Sequence, residues 1–263
     1  MLYGTRFLMM LRNIQVNFKT TNDTYLPSFR PNAGDVFGQG NGEGSGFAPG
    51  LGFAFGFEGG ESFTEKAIKN GWLIVNDSIT TPAVYSKTED FSYQAVLEPL
   101  PGLKINITGT RRSNERQSHQ FMFSNLNITR GGSFQQTAWA FGNSIDDLLL
   151  ERMSGDPFPG IFGTMPNWNA KYDGLLNIIP KLSNWFKTLS LSHAYNCTYN
   201  VGSYQSFPDR EGIEISSATV TQSFAPLIGM NATLHNNITA KAEYKTTNSG
   251  TYNTSTTTIT RNT

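Results

Sequence analysis

Between Leu189 and Val201 the chain alternates without a break. Leu189, Leu191, His193, Tyr195, Cys197, Tyr199 and Val201 fall on one side of an extended backbone, and Ser190, Ser192, Ala194, Asn196, Thr198 and Asn200 on the other. A period of two predicts a β-strand with one apolar and one polar face. Strands of soluble domains commonly end after about 5–6 residues, whereas a tilted strand crossing a bilayer needs about 9–11, and this one runs at the longer length. Nearer the C-terminus Ile238, Ala240, Ala242 and Tyr244 alternate with Thr239, Lys241, Glu243 and Lys245. One face of that segment suits lipid or a core, and the charged face has to stay wet.

The same alternation places further strands. Phe7 to Thr20 settles into Ile14, Val16 and Phe18 against Gln15, Asn17 and Lys19, and a long loop rich in Gly, Pro, Asn and Asp follows from Asn22 to Gly50. Ser62 and Glu65 have capping-box spacing ahead of Ala67, with Gly71 as a stop, which predicts a helix over Phe63 to Asn70. Phe91 to Glu98 and Leu103 to Thr108 form a hairpin across Pro99-Leu100-Pro101-Gly102. A second hairpin, Phe121 to Thr129 with Phe134 to Phe141, is expected across Gly131-Gly132. Ile145 to Met153 reads as a helix capped by Asn143 or Ser144, with Asp146 and Asp147 near its positive end.

From Lys171 onward the candidates are Lys171 to Leu176, Phe186 to Ser203, Ser217 to Ala225, Leu227 to His235, Ile238 to Asn248 and Tyr252 to Arg261. Asn236-Asn237 and Ser249-Gly250 serve as tight turns, and Pro226 belongs at a strand boundary or bulge. The fold class that results is all-β: an antiparallel transmembrane β-barrel segment, an open, curved sheet of about ten strands joined by short turns and long helix-bearing loops. No repeat or linker divides residues 1–263, which read as one fragment of a larger barrel. Both ends look like cuts through a longer protein.

Composition narrows the partners. The formal net charge is zero at a pI near 6.8, so no basic field recruits nucleic acid. Cys197 is the only cysteine and cannot form an intrachain disulfide. No run approaches the roughly 18 consecutive apolar residues of a spanning helix, so a membrane location requires a barrel.

Candidate chemistry is sparse. His119, His193 and His235 lie on different strands without metal-ligand spacing. Gly38, Gly40, Gly42, Gly44 and Gly46 lack the strand, helix and lysine of a nucleotide loop. Cys197 has no base nearby in sequence and reads as a small hydrophobe. Asp146 and Asp147 point in different directions on a helix, and Arg111, Arg112 and Arg116 read as a solvated strand end. No catalytic residue, metal site or cofactor is expected. Lys104, Lys241, Glu243 and Lys245 are the candidates for a water-filled lumen, and Leu103, Ile105, Ile107, Ile238, Ala240 and Ala242 for the opposite surface.

Longer motifs point to a family. Leu8-Met9-Met10-Leu11-Arg12-Asn13, Leu26-Pro27-Ser28-Phe29 with Pro31, Ala48 to Gly56 and Asn70-Gly71-Trp72-Leu73 resemble the SprA/Sov family, the outer-membrane translocon of type IX secretion in Bacteroidota. Leu97-Glu98-Pro99, Pro166-Asn167-Trp168, Leu191 to Tyr195, Val201 to Tyr204 and Phe224 to Gly229 agree in order. The resemblance implies a piece of a very large barrel in the cell outer membrane. Such a barrel passes folded cargo proteins, supports gliding motility, and has a cargo-shuttle barrel and plug proteins beside it. Small residues interleaved with Phe47, Pro49, Leu51, Phe53, Phe55 and Phe57 make that segment the candidate for the pore mouth or a docked partner.

Two other readings share parts of the pattern. A secreted β-sandwich that binds or cleaves carbohydrate would use Trp72, Trp139, Trp168 and Trp185 as sugar platforms, and a TonB-dependent receptor or porin would share the barrel. An enzyme needs convergent carboxylates, and a receptor or porin a plug domain or complete barrel termini.

Overall fold

A computed structural model describes residues 10–31, 39–40, 48–74, 81–122, 125–140, 145–206 and 212–262. The chain is mostly β. Nine strands form one antiparallel sheet: β1 (Leu11–Tyr25), β4 (Ala83–Leu100), β5 (Leu103–Met122), β6 (Asn125–Thr137), β7 (Asn167–Tyr172), β8 (Phe186–Ser206), β9 (Glu214–Leu234), β10 (Thr239–Asn253) and β11 (Thr258–Asn262). The remaining two, β2 (Gln39–Gly40) and β3 (Ala48–Pro49), make a small ribbon of their own. Helices α1 (Leu51–Ala54), α2 (Gly60–Lys69), α3 (Ile145–Ser154) and α4 (Leu175–Ile178) lie in the connections.

The sheet runs β1-β4-β5-β6-β8-β9-β10-β11, so β1 and β11 stand at opposite edges and do not pair with one another among the described residues. Strands β6 and β7 share a single lane. Residues 111–122 of β5 pair with β6 and residues 103–108 with β7, and β8 divides its partners in the same way. One lane is thus broken in the middle, where residues 138–166 leave the sheet carrying α3.

Strand length departs from the soluble norm. β5 has 20 residues and β8 and β9 have 21 each, against a usual 5–6 or so. The turns β4–β5 and β9–β10 mark the lower end of the sheet. The described residues of the insert between β1 and β4 join the sheet at the upper end, where β1 reaches Tyr25 opposite Val84.

Two clusters form the core, both on one face of the upper half. In the larger, Leu148 and Leu149 of α3, with Ala138 and Ala140, cover Phe134, Tyr195, Cys197, Tyr199, Val201, Ala218 and Val220. In the smaller, Phe63 and Ala67 of α2 pack with Trp72 on Ala83 and Tyr85. Arg261 near the end of β11 pairs bidentately with Asp146 of α3 and ties the edge strand to the insert.

Several sequence expectations need correction. Gly131-Gly132 is not a turn: β6 runs straight through, Gly131 opposite Arg116 and Gly132 opposite Glu115. A β-carbon on Gly132 would collide with the Asn114 carbonyl and the Tyr204 ring. Ser249-Gly250 is not a turn either, since β10 continues to Asn253 and a β-carbon on Gly250 would meet Ile145 of α3. Both glycines serve close approach inside strands, the other common use of the residue there. Segments 217–225 and 227–235 are one strand, β9, with Pro226 at a break in the ladder between the Phe224–Tyr195 and Gly229–Ser192 pairs. Residues 173–176 belong to a connection and α4, and the strand expected over 252–261 is the end of β10, a turn and β11. Helix α2 begins at Gly60, so Ser62 lies inside it, and its hydroxyl reaches back to the Gly59 carbonyl at 3.4 Å. Gly71 ends that helix region with φ 68°, as its freedom at positive φ allows. Residues 143 and 144, the expected caps of α3, lie outside the described residues.

Candidate functional site: a wall with one apolar and one polar face

Because side chains alternate along each strand and partners sit on the same face, the register fixes which residues share a surface. One row on the first face reads Ile14, Ala95, Ile107, Trp168, Tyr195 and Phe224 across β1, β4, β5, β7, β8 and β9. A lower row reads Leu103, Tyr172, Leu191, Met230 and Ala242. From the Leu189 row up to the row of Phe18 and Phe91, the apolar band is about ten residues deep along a strand, the depth a tilted strand needs in hydrocarbon. On β1 and the lower parts of β9 and β10 the band is open, Val16 being 60% exposed, Phe18 58%, Ile228 66% and Tyr244 64%, whereas Leu189, Tyr195 and Ala232 within it are buried.

The reverse face is polar on the same strands. Lys104 stands beside Lys171, Lys171 beside Ser192, Ser192 beside Gly229, and Gly229 beside Glu243. The four residues named as lumen candidates therefore share one face, and the register brings Lys104 of β5 and Glu243 of β10 into one row. Glu243 takes Lys241 at 2.8 Å and Lys245 at 2.9 Å, so three charges stand in line along β10. Arg12 pairs with Glu98 at 2.8 Å near the lower turn. Pairs this exposed contribute little stability. They hold the face hydrated. Leu103, Ile105, Ile107, Ala240 and Ala242 lie on the opposite, apolar face, and strand alternation carries it on to Ile238.

The aromatic segment divides. Phe47 lies outside the described residues. Ala48 and Pro49 are buried in β3, and Phe53 stacks on Phe63 at 4.6 Å. Leu51 is half exposed, and Phe55 and Phe57 project at 61% and 85% exposure. Below them opens a cleft of about 630 Å³ between Asn22–Thr24, Phe57–Gly60 and the strand residues Tyr85, Lys87, Glu115 and Gln117.

The sequence offered no signal for the buried polar cage beneath α2. His119 is 1% exposed, and its Nδ1 meets the Thr64 hydroxyl at 2.8 Å while Nε2 meets Gln117 Oε1 at 3.3 Å. Thr64 also contacts the Tyr85 hydroxyl at 2.8 Å. Because Gln117 donates its amide to Glu115, its oxygen accepts from Nε2–H, and Nδ1 accepts from Thr64. Burial, opposed by Glu61 and assisted by Arg130, holds the imidazole below its ordinary value, and burial pushes the Tyr85 phenol up.

The remaining chemical candidates are structural. His193 and His235 donate to the carbonyls of Leu227 and Ser183, and no group of metal ligands occurs among the described residues. Cys197 is buried in the larger core. Arg111, Arg112 and Arg116 lie inside β5, not at a strand end. Arg111 donates to the Pro159 carbonyl and lies over the Phe134 ring, while Arg112 meets Asp90 on the polar face. Of the tryptophans, Trp72 is buried, Trp168 stacks on Tyr195 at 4.5 Å and meets Trp139 edge-on at 6.3 Å, and Trp139 and Trp185 are exposed.

Comparison with models of known families finds no match, and no curated protein sequence matches the chain.

Proposed function

We propose that this chain is a non-enzymatic segment of a large outer-membrane barrel that conducts folded cargo proteins in type IX secretion and supports gliding motility, as the SprA/Sov resemblance implies. One observation carries the barrel reading: an apolar band about ten residues deep, open on β1 and the lower parts of β9 and β10, lies on one face of a single sheet while the same strands are polar behind it. A soluble domain would bury such a band, because patches beyond a few hundred Å² mark contact surfaces. The second sheet that a sandwich needs is lacking among the described residues, where the only other sheet has strands of two residues.

In this reading lipid covers the face of Ile105, Ile107 and Ala242, and exported cargo passes the face of Lys104, Lys241, Glu243 and Lys245. The open edges at β1 and β11 receive further strands of the barrel, since unpaired backbone cannot remain in hydrocarbon. A cargo-shuttle barrel or plug protein docks on the segment of Pro49, Leu51, Phe53, Phe55 and Phe57. Cysteines at the neighbouring positions 240 and 241, treated with a membrane-impermeant thiol reagent in intact outer membrane, separate the faces. Labelling of 241 in preference to 240 is expected, and the reverse preference overturns the assignment. Deleting residues 47–57 from the parent protein is expected to reduce cargo secretion while the barrel still assembles; normal secretion with normal assembly removes the docking role.

A further inference from the structure

The connection from β7 to β8, residues 173–185, lies at the lower end of the sheet and is far more apolar at its surface than a turn in water requires. Ile178 is 67% exposed, Ile179 44% and Trp185 70%. Two neighbouring turns add to the patch: Leu100, opposite Leu103, and Ile238, at the start of β10, are 57% and 60% exposed. Both continue the apolar face of the sheet. The connection leaves β7 on that face as well, with Gly174 so close to the Tyr172 hydroxyl that no β-carbon would fit. It is held in place, since His235 donates to the Ser183 carbonyl and Lys187 to Asn237.

Its charges have one sign to spare. Asp173 is taken by Lys171 at 3.1 Å, whereas neither Lys181 nor Lys187 has a carboxylate partner among the described residues. Exposed Trp and Ile beside lysines that have no carboxylate partner among the described residues, continuous with a lipid-sized band, match the chemistry of a segment lying at a membrane surface. We propose that residues 174–187 form an interfacial anchor. Ile178, Ile179 and Trp185 enter the boundary between headgroups and acyl chains of the leaflet at the lower end, and Lys181 and Lys187 meet lipid phosphates. The inference rests on the barrel reading.

The test uses the closed parent barrel that contains this chain, reconstituted in vesicles of phosphatidylethanolamine and phosphatidylglycerol, in a Cys197→Ala background without other reactive thiols. Nitroxide labels on Ile178→Cys, on Val16→Cys in the apolar band and on Thr256→Cys in an upper turn report depth from collisions with oxygen and with a water-soluble nickel chelate. The label at 178 is expected about 5–10 Å below the headgroups, shallower than 16 and deeper than 256. Replacing both Lys181 and Lys187 with Glu is expected to move it toward water. A label at 178 as open to nickel as the one at 256, with 16 still in lipid, overturns the anchor and leaves the barrel standing. A label at 178 shielded from both reagents marks a protein contact and also overturns it. A label at 16 in water removes the membrane reading beneath both.

Discussion

The upper and lower halves of the sheet are built from the same strands with the same alternation, yet they meet different surroundings. Above, Tyr199, Val201, Ala218 and Val220 are almost fully buried beneath the insert that carries α3. Below, Val16, Ile228 and Tyr244, on the same face, are open. A period-two pattern reports that one face avoids water; it does not report what keeps water away. In the upper half the chain supplies its own cover by breaking one lane of the sheet and folding the excised segment back. In the lower half no insert of that size covers Val16, Ile228 and Tyr244 among the described residues.

That contrast can be broken most severely in the covered half. Val220→Asp places an unpaired carboxylate beneath α3 and is expected to cost more than about 4 kcal/mol, unfolding the upper half in urea titrations followed by amide exchange. Leu149→Ala, which only leaves a cavity, is expected to cost about 2–5 kcal/mol by the same titration. In the open half the medium decides the outcome. Val16→Lys is expected to cost about 2–4 kcal/mol in a bilayer, measured by reversible unfolding from vesicles. A soluble protein exposing Val16 to water would hardly register the change.

A pH series sharpens the comparison at the other insert. Burial lowers the affinity of His119 for its proton relative to the unfolded chain, so the unfolded form takes up the proton first. Docking of α2 is therefore fully present above the ordinary histidine value near 6.5 and weakens as pH falls below it. Amide exchange of residues 60–69 should quicken between about pH 7 and pH 5 and lose that dependence in His119→Gln. The smallest effect belongs to the polar face: Glu243→Gln removes two exposed ion pairs and is expected to leave the urea midpoint within the error of the titration.

Much of the wall was legible beforehand because strand alternation is a local property. The β4–β5 hairpin, the turn at Asn236-Asn237, the α3 helix and the opposition of Lys104, Lys241, Glu243 and Lys245 to their apolar neighbours all follow from residues adjacent in sequence. Two of the errors share one cause. Gly132 and Gly250 are turn formers by composition, but each sits mid-strand where another element comes too close for a side chain, and that neighbour is distant in sequence. The joining of β6 and β7 into one lane was invisible for the same reason.

The cage around His119 joins residues from α2, β4 and β5, and no local pattern announces it. The sequence by itself determined that long two-faced strands would form, because the backbone projects successive side chains to opposite sides. Only the tertiary structure decided which apolar rows the chain would cover and which it would leave bare. Cover depends on where an insert far along the chain returns, and that is set by packing, not by period.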